Sequence, residues 1–88
     1  MYNSFYEVAM YSGVGLLMED VEFHTKWETI RTIAINTINN AYTTDASWDV
    51  TSKTITVMQD TGDEKRQFVI RGIDRNSAHE IFSNVKIK

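Results

Sequence analysis

Apolar residues recur along this chain with two spacings, and the change from one to the other occurs twice in nearly the same grammar. Leu16 to Glu28 reads LLMEDVEFHTKWE, and Phe68 to Glu80 reads FVIRGIDRNSAHE. In each, an apolar run is followed by a further apolar residue (Val21, Ile73) and then an acid (Glu22, Asp74). A hydroxyl residue (Thr25, Ser77) with a glutamate three positions later (Glu28, Glu80) then has the form of a capping box. In that motif the two side chains satisfy free N–H groups in the first turn of a helix. Both stretches therefore predict a strand that ends, turns and opens a helix.

Alternation of Tyr6, Val8 and Met10 with Phe5, Glu7, Ala9 and Tyr11 predicts a first strand. Ser4 three positions before Glu7 also fits a capping box, so a helix over the same residues is the competing reading. Ser12 to Gly15 supplies a hairpin loop, and Leu16–Phe23 returns as a strand. Trp27, Ile30, Ala34, Ile38 and Ala41 fall on one helical face, with an end expected near Asn39 and Asn40. Ile35 lies off that face and reads as exposed. Periodicity lapses over Thr43–Ser47, which reads as a connector, and Trp48–Val50 reads as a short strand or as the start of a longer one broken at Thr51–Lys53. Thr54–Gln59 alternates, Asp60–Glu64 is a glycine-bearing turn, and Arg66–Ile73 returns. Ala78, Ile81, Phe82 and Val85 mark a second helix, and the tail Val85–Lys88 either finishes that helix or, as its alternation favours, makes a short terminal strand.

The predicted fold is α+β: a two-layer sandwich in ββαββα order, with a four-stranded antiparallel sheet and both helices on one face. Residues 1–88 form a single small domain, in which halves of about 1–44 and 45–88 make an internal pseudo-repeat. The expected core is Tyr6, Val8, Met10, Leu16, Met18, Ile55, Val57, Phe68 and Ile70 from strands. Trp27, Ile30, Ala34, Ile38, Ala78, Ile81 and Phe82 join it from helices. The opposite sheet face then carries Glu7, Ala9, Tyr11, Leu17, Glu19, Val21, Thr56, Met58, Val69, Arg71 and Ile73. A solvated face of an antiparallel sheet ordinarily reads polar, and this one is mixed. Apolar residues flecked with charge are what a docking surface presents.

Composition narrows the function classes. The 88 residues carry 12 acids and 9 bases, for a net charge of −3, with the excess acid in the first half. That balance argues against a nucleic-acid footprint, which needs a basic domain or stripe. There is no cysteine, hence neither disulfides nor thiolate metal sites. No apolar run reaches the roughly 20 residues of a membrane helix, and the N-terminus lacks the basic region of a signal peptide. A cytoplasmic protein with no membrane association is the expectation. His24 and His79 sit beside Glu22, Glu28, Asp74 and Glu80 without a metal-ligand spacing, so no metal or other cofactor is expected. No nucleophile elbow, phosphate loop or dinucleotide fingerprint is present, and no catalytic residue is assigned.

By elimination, and from the mixed sheet face, the sequence points to a non-catalytic protein-binding module, an inhibitor or regulator of another protein. Small acidic chains without cysteine or proline are also typical of phage genes, so an anti-host or anti-defence protein acting in the host cytoplasm is the concrete form of that expectation. Its interface residues are Tyr11, Leu17, Glu19, Met58, Val69 and Arg71, and the open face also offers a route to a homodimer. The alternative is a nucleic-acid-binding regulator that uses Lys65, Arg66, Arg71 and Arg75 on and just after one strand, where phosphate contacts would dominate.

Overall fold

The computed structural model describes residues 5–85. Ser4, on which the competing helical cap rests, lies outside the described residues, as do Lys86–Lys88 of the terminal strand expected over Val85–Lys88; Val85 itself is in no strand. The order is β1 (Tyr6–Ser12), β2 (Leu17–His24), α1 (Trp27–Ile38), β3 (Thr43–Asp49), β4 (Thr54–Asp60), β5 (Lys65–Arg71) and α2 (Arg75–Ser83). All strands join one antiparallel sheet in the order β2-β1-β5-β4-β3. The class is α+β as expected, but the sheet has five strands rather than four and the order is ββαβββα.

The added strand is β3, which takes in the stretch that reads as a connector, Thr43–Ser47, together with Trp48 and Asp49 of the expected short strand. Only Ala46 and Trp48 there are apolar and face the core, too few to register as a periodic run. Polar contacts complete its placement. The Trp48 indole N–H donates to the Ile73 carbonyl at 2.8 Å. The Thr43 hydroxyl donates to the Thr37 carbonyl at 2.7 Å, at the end of α1. Gln59, 3% exposed, donates to the same carbonyl and to the Thr43 oxygen, each at 3.3 Å. A helix leaves its last carbonyls without intrahelical partners, and β3 and β4 supply partners here.

One core joins the sheet to both helices. Ile55, Val57 and Ile70 meet Ile30, Ala34 and Ile38 of α1 and Ala78 and Ile81 of α2. Tyr6, Val8, Trp27, Phe68, Phe82 and Ile35 pack around them; Ile35 is half-buried rather than exposed. The strand residues in this cluster all share one sheet face by register, so both helices cover that face. On α1's surface the Arg31 Nε meets a Glu80 carboxylate oxygen at 2.6 Å, linking the two helices. Among the described residues no helix is long and apolar enough to cross a membrane.

Ile73 departs from its expected place. It is fully buried in the core rather than on the open face. The chain leaves β5 through Gly72 at φ +95°, which breaks the strand alternation and turns Ile73 inward. The N–H groups of Gly72 and Ile73 both donate to the Lys53 carbonyl, at 3.1 and 2.9 Å. A Cβ on Gly72 would sit 3.1 Å from the Tyr6 ring and 3.2 Å from the Phe5 carbonyl oxygen. Gly72→Ala is therefore expected to cost at least about 1 kcal/mol in urea unfolding, through both the positive φ and the crowding.

Both helix starts also depart from the capping boxes. The cap residue of α1 is Lys26, which makes no side-chain cap hydrogen bond, so Thr25 is not the cap. The cap of α2 is Asp74, whose carboxylate accepts from the Ser77 N–H at 2.8 Å, and Ser77 lies inside the helix. Aspartate caps as well as serine, and the helix starts one turn earlier as a result. The Ser77 backbone bond, then its side chain, holds the Asp74 pKa below its ordinary 3.8. A depressed carboxylate stabilises the fold above its unfolded pKa and loses that contribution as pH falls through the folded value. Asp74→Ala is expected to lower Tm by about 4–8 °C at neutral pH. The gap to wild type should close as thermal melts are taken to pH values below 3.8.

Candidate functional site

Register across the sheet sorts the open face into rows. One row runs Phe23, Glu7, Arg71, Thr54, Asp49 from β2 to β3; the next runs Val21, Ala9, Val69, Thr56, Ser47; the third runs Met18, Tyr11, Gln67, Met58, Asp45. Directly paired residues in an antiparallel sheet project to the same side, so these rows are neighbours in space. The face is graded. At the β3 edge it carries Asp45, Ser47 and Asp49; at the β2 edge it carries Met18, Val21 and Phe23. Phe23 is 60% exposed, Met18 53% and Val21 38%, and the exposed Phe5 ring meets Phe23 edge-on with centroids 5.6 Å apart. Ala9 is fully shielded although it lies on this face, with Val21 and Val69 beside it and Glu7 and Tyr11 along its strand.

A bulge produces this edge. The β1–β2 register shifts at Met10/Tyr11, leaving Glu19 without a partner opposite. Every residue of β2 on the Leu17 side of the bulge changes face relative to strict alternation. Met18 therefore lies on the open face rather than in the core, and Leu17, opposite Ser12, projects to the helix side with 68% exposure. Of the expected interface residues, Tyr11, Met58, Val69 and Arg71 lie on the open face, but Val69 is buried there and so offers a partner little surface. Leu17 is not with them, and Glu19 stands at the bulge. Phe5, Met18 and Phe23 are the residues missed. The signal was in LLMEDVEF, where Val21 and Phe23 alternate but Met18 and Val21 stand three apart.

The cations proposed for nucleic acid are not drawn into one stripe. Arg66 shares the helix-side face with Ser12 and Gln59, whereas Arg71 is on the open face. Arg66 meets Glu64 at 2.9 Å, Arg71 meets Glu7 at 3.6 Å, and the Arg75 guanidinium lies 5.6 Å from the Trp48 ring centroid. Lys65 lines a cleft of about 440 Å³ between the two hairpin tips, with Gly13, Val14, Asp60, Asp63 and Glu64. That cleft contains no histidine or hydroxyl nucleophile. His24, half-buried at the end of β2, has its Nε2 3.0 Å from the Glu22 carboxylate. Among the described residues no three histidine or carboxylate side chains are placed to share a metal.

Compared with protein-family models, curated proteins and solved structures, the chain matches none.

If the apolar residues of β2 are surface and not core, Met18→Ser should shift the unfolding free energy by no more than about 0.5 kcal/mol. Truncation of a buried methionine would instead cost about 2–5 kcal/mol. Urea denaturation of the variant beside wild type decides between them.

Proposed function

We propose that this protein is a non-catalytic binding protein that works by covering a surface on another protein, as an inhibitor or regulator does. The observation that carries this reading is the cluster of Phe5, Met18, Val21 and Phe23 at one end of the open sheet face. Each is more than a third exposed, and the group adjoins Tyr11. Large apolar side chains gathered at one place have a cost in water of roughly 25 cal/mol per Å² that a partner surface would relieve. Aromatic residues and methionine are also the types enriched at the centres of protein interfaces. Glu7 and Arg71 lie behind the cluster and give it a polar rim.

The reading is tested by placing a photo-crosslinking phenylalanine at position 23 and, separately, at position 45 on the acidic edge. Irradiation in the native cell should yield one discrete protein adduct from position 23 and none from position 45. The adduct should vanish in a Val21→Glu background that retains the wild-type Tm. Equal adducts from both positions, or an adduct unaffected by Val21→Glu, would overturn the proposal.

A further inference from the structure

The two edges of the sheet are not equivalent, and the difference specifies a partner. β3, at one edge, presents Thr44, Asp45, Ser47 and Asp49 outside its core contacts, a polar strand of the kind that resists pairing. β2, at the other, combines a free backbone edge with exposed apolar side chains. The direction of its backbone groups follows from β1. The Gly13 N–H donates to the Lys65 carbonyl, so the odd-numbered residues of β1 direct their backbone groups toward β5. Alternation then turns Tyr6, Val8 and Met10 toward β2, where they pair with His24, Glu22 and Asp20. The N–H and C=O groups of Val21 and Phe23 point away from the sheet and have no strand beside them among the described residues.

Side chains on this edge are sorted by face. Val21 and Phe23 project to the open side; Asp20, Glu22 and His24 project to the helix side, beyond the core cluster. Asp20 and Glu22 are exposed. A second copy is a poor occupant. Antiparallel self-pairing centred on Glu22 sets Glu22 against its own image, and centring on Val21 sets Asp20 against Glu22; the one basic side chain another β2 brings is His24, whose Nε2 already meets Glu22 of its own strand. Like charges directly opposite destabilise a ladder. We infer that β2 takes up an extended segment of a partner protein as a sixth strand, one in which lysine or arginine alternates with apolar residues. Its apolar residues lie opposite Val21 and Phe23, and its cations opposite Asp20 and Glu22. Main-chain hydrogen bonds supply affinity and the alternate side chains supply selectivity. The bulge at Glu19 leaves Asp20–His24 as the regular stretch that receives it. This inference rests on the protein-binding reading and specifies its mode.

The probe is a short fluorescein-labelled peptide alternating lysine and valine, compared with one alternating glutamate and valine and with a block arrangement of the first composition. Fluorescence anisotropy should show binding of the alternating basic peptide alone, weakened by salt and weakened about tenfold or more by Asp20→Lys with Glu22→Lys. On binding, the amides of Val21 and Phe23 should gain hydrogen-exchange protection. Val21→Ala should still bind, whereas Val21→Pro, which removes an outward N–H that an edge strand can spare, should not. Equal binding of the acidic or block peptide would overturn strand addition. So would protection of the two amides in the free protein through concentration-dependent dimerisation seen by sedimentation. If the peptide leaves those amides unprotected while the position-23 adduct persists, strand addition fails and the protein-binding reading stands.

Discussion

Ile70 occupies the middle strand of five, with Val8 on one side and Ile55 on the other, and the packing of the whole domain radiates from that row. It is fully buried, as are Ile55, Ile30, Ile73 and Ile81, each contributing about 1.5–3 kcal/mol by leaving water. The helices must close over this row, and their size sets what remains uncovered. Two helices side by side span about 20 Å, and four strands at about 4.8 Å spacing take up nearly all of it. A fifth strand lies beyond their reach. β3 avoids that position because Trp48 and Ala46 reach back into the core. The excluded strand is β2, exposed along its length except at His24.

The remaining joints hold that arrangement in place. Lys53, itself at φ +55°, offers one carbonyl to two successive N–H groups at the end of β5. This turns Ile73 under α2, and the Ile73 carbonyl in turn accepts from Trp48. The exit from the central strand, the start of the second helix and the anchoring of an edge strand are therefore one connected piece. At the opposite end Thr37, Thr43 and Gln59 do the equivalent work for α1. No buried side-chain N or O among the described residues is left without a partner: Gln59 serves the α1 joint, and the Thr54 hydroxyl donates to the Ser52 carbonyl at 3.0 Å.

Much of this was legible in the sequence, because β1, β4, β5 and both helices bury continuous periodic faces whose alternation is visible without coordinates. Besides the inward turn of Ile73 at Gly72 and the partial burial of Ile35, three features were not, each for a physical reason. β3 is held by two apolar side chains and several hydrogen bonds, and hydrogen-bond partners distant in the chain leave no periodic trace. The bulge in β2 reverses the facing of Leu17 and Met18 by adding a single residue, and strict alternation has no way to register an insertion except as a spacing of three. At α2, Asp74 and Ser77 are both competent capping residues, and only the helix's starting point decides which one serves; at α1 the helix starts after Lys26, which leaves Thr25 one position too early to cap it. The bulge governs the candidate site as well. Tyr11, Met58, Val69 and Arg71 were correctly facing, while the apolar edge that gives the face its character was not assembled.

The gradient across the open face, and not its mean composition, is what gives it direction. Edge strands are ordinarily protected by charge, and β2 carries Glu19, Asp20 and Glu22 without a single lysine or arginine. Three acids on one edge repel another copy of the same edge, but they do not repel everything. A mixture of signs would discourage self-pairing through poor register while offering no preference among other strands. A single sign excludes self and attracts its opposite. On the inferred mode of binding, the acids that disfavour pairing of β2 with its own kind are the ones that select a basic segment, and protection and selectivity are one property of the strand.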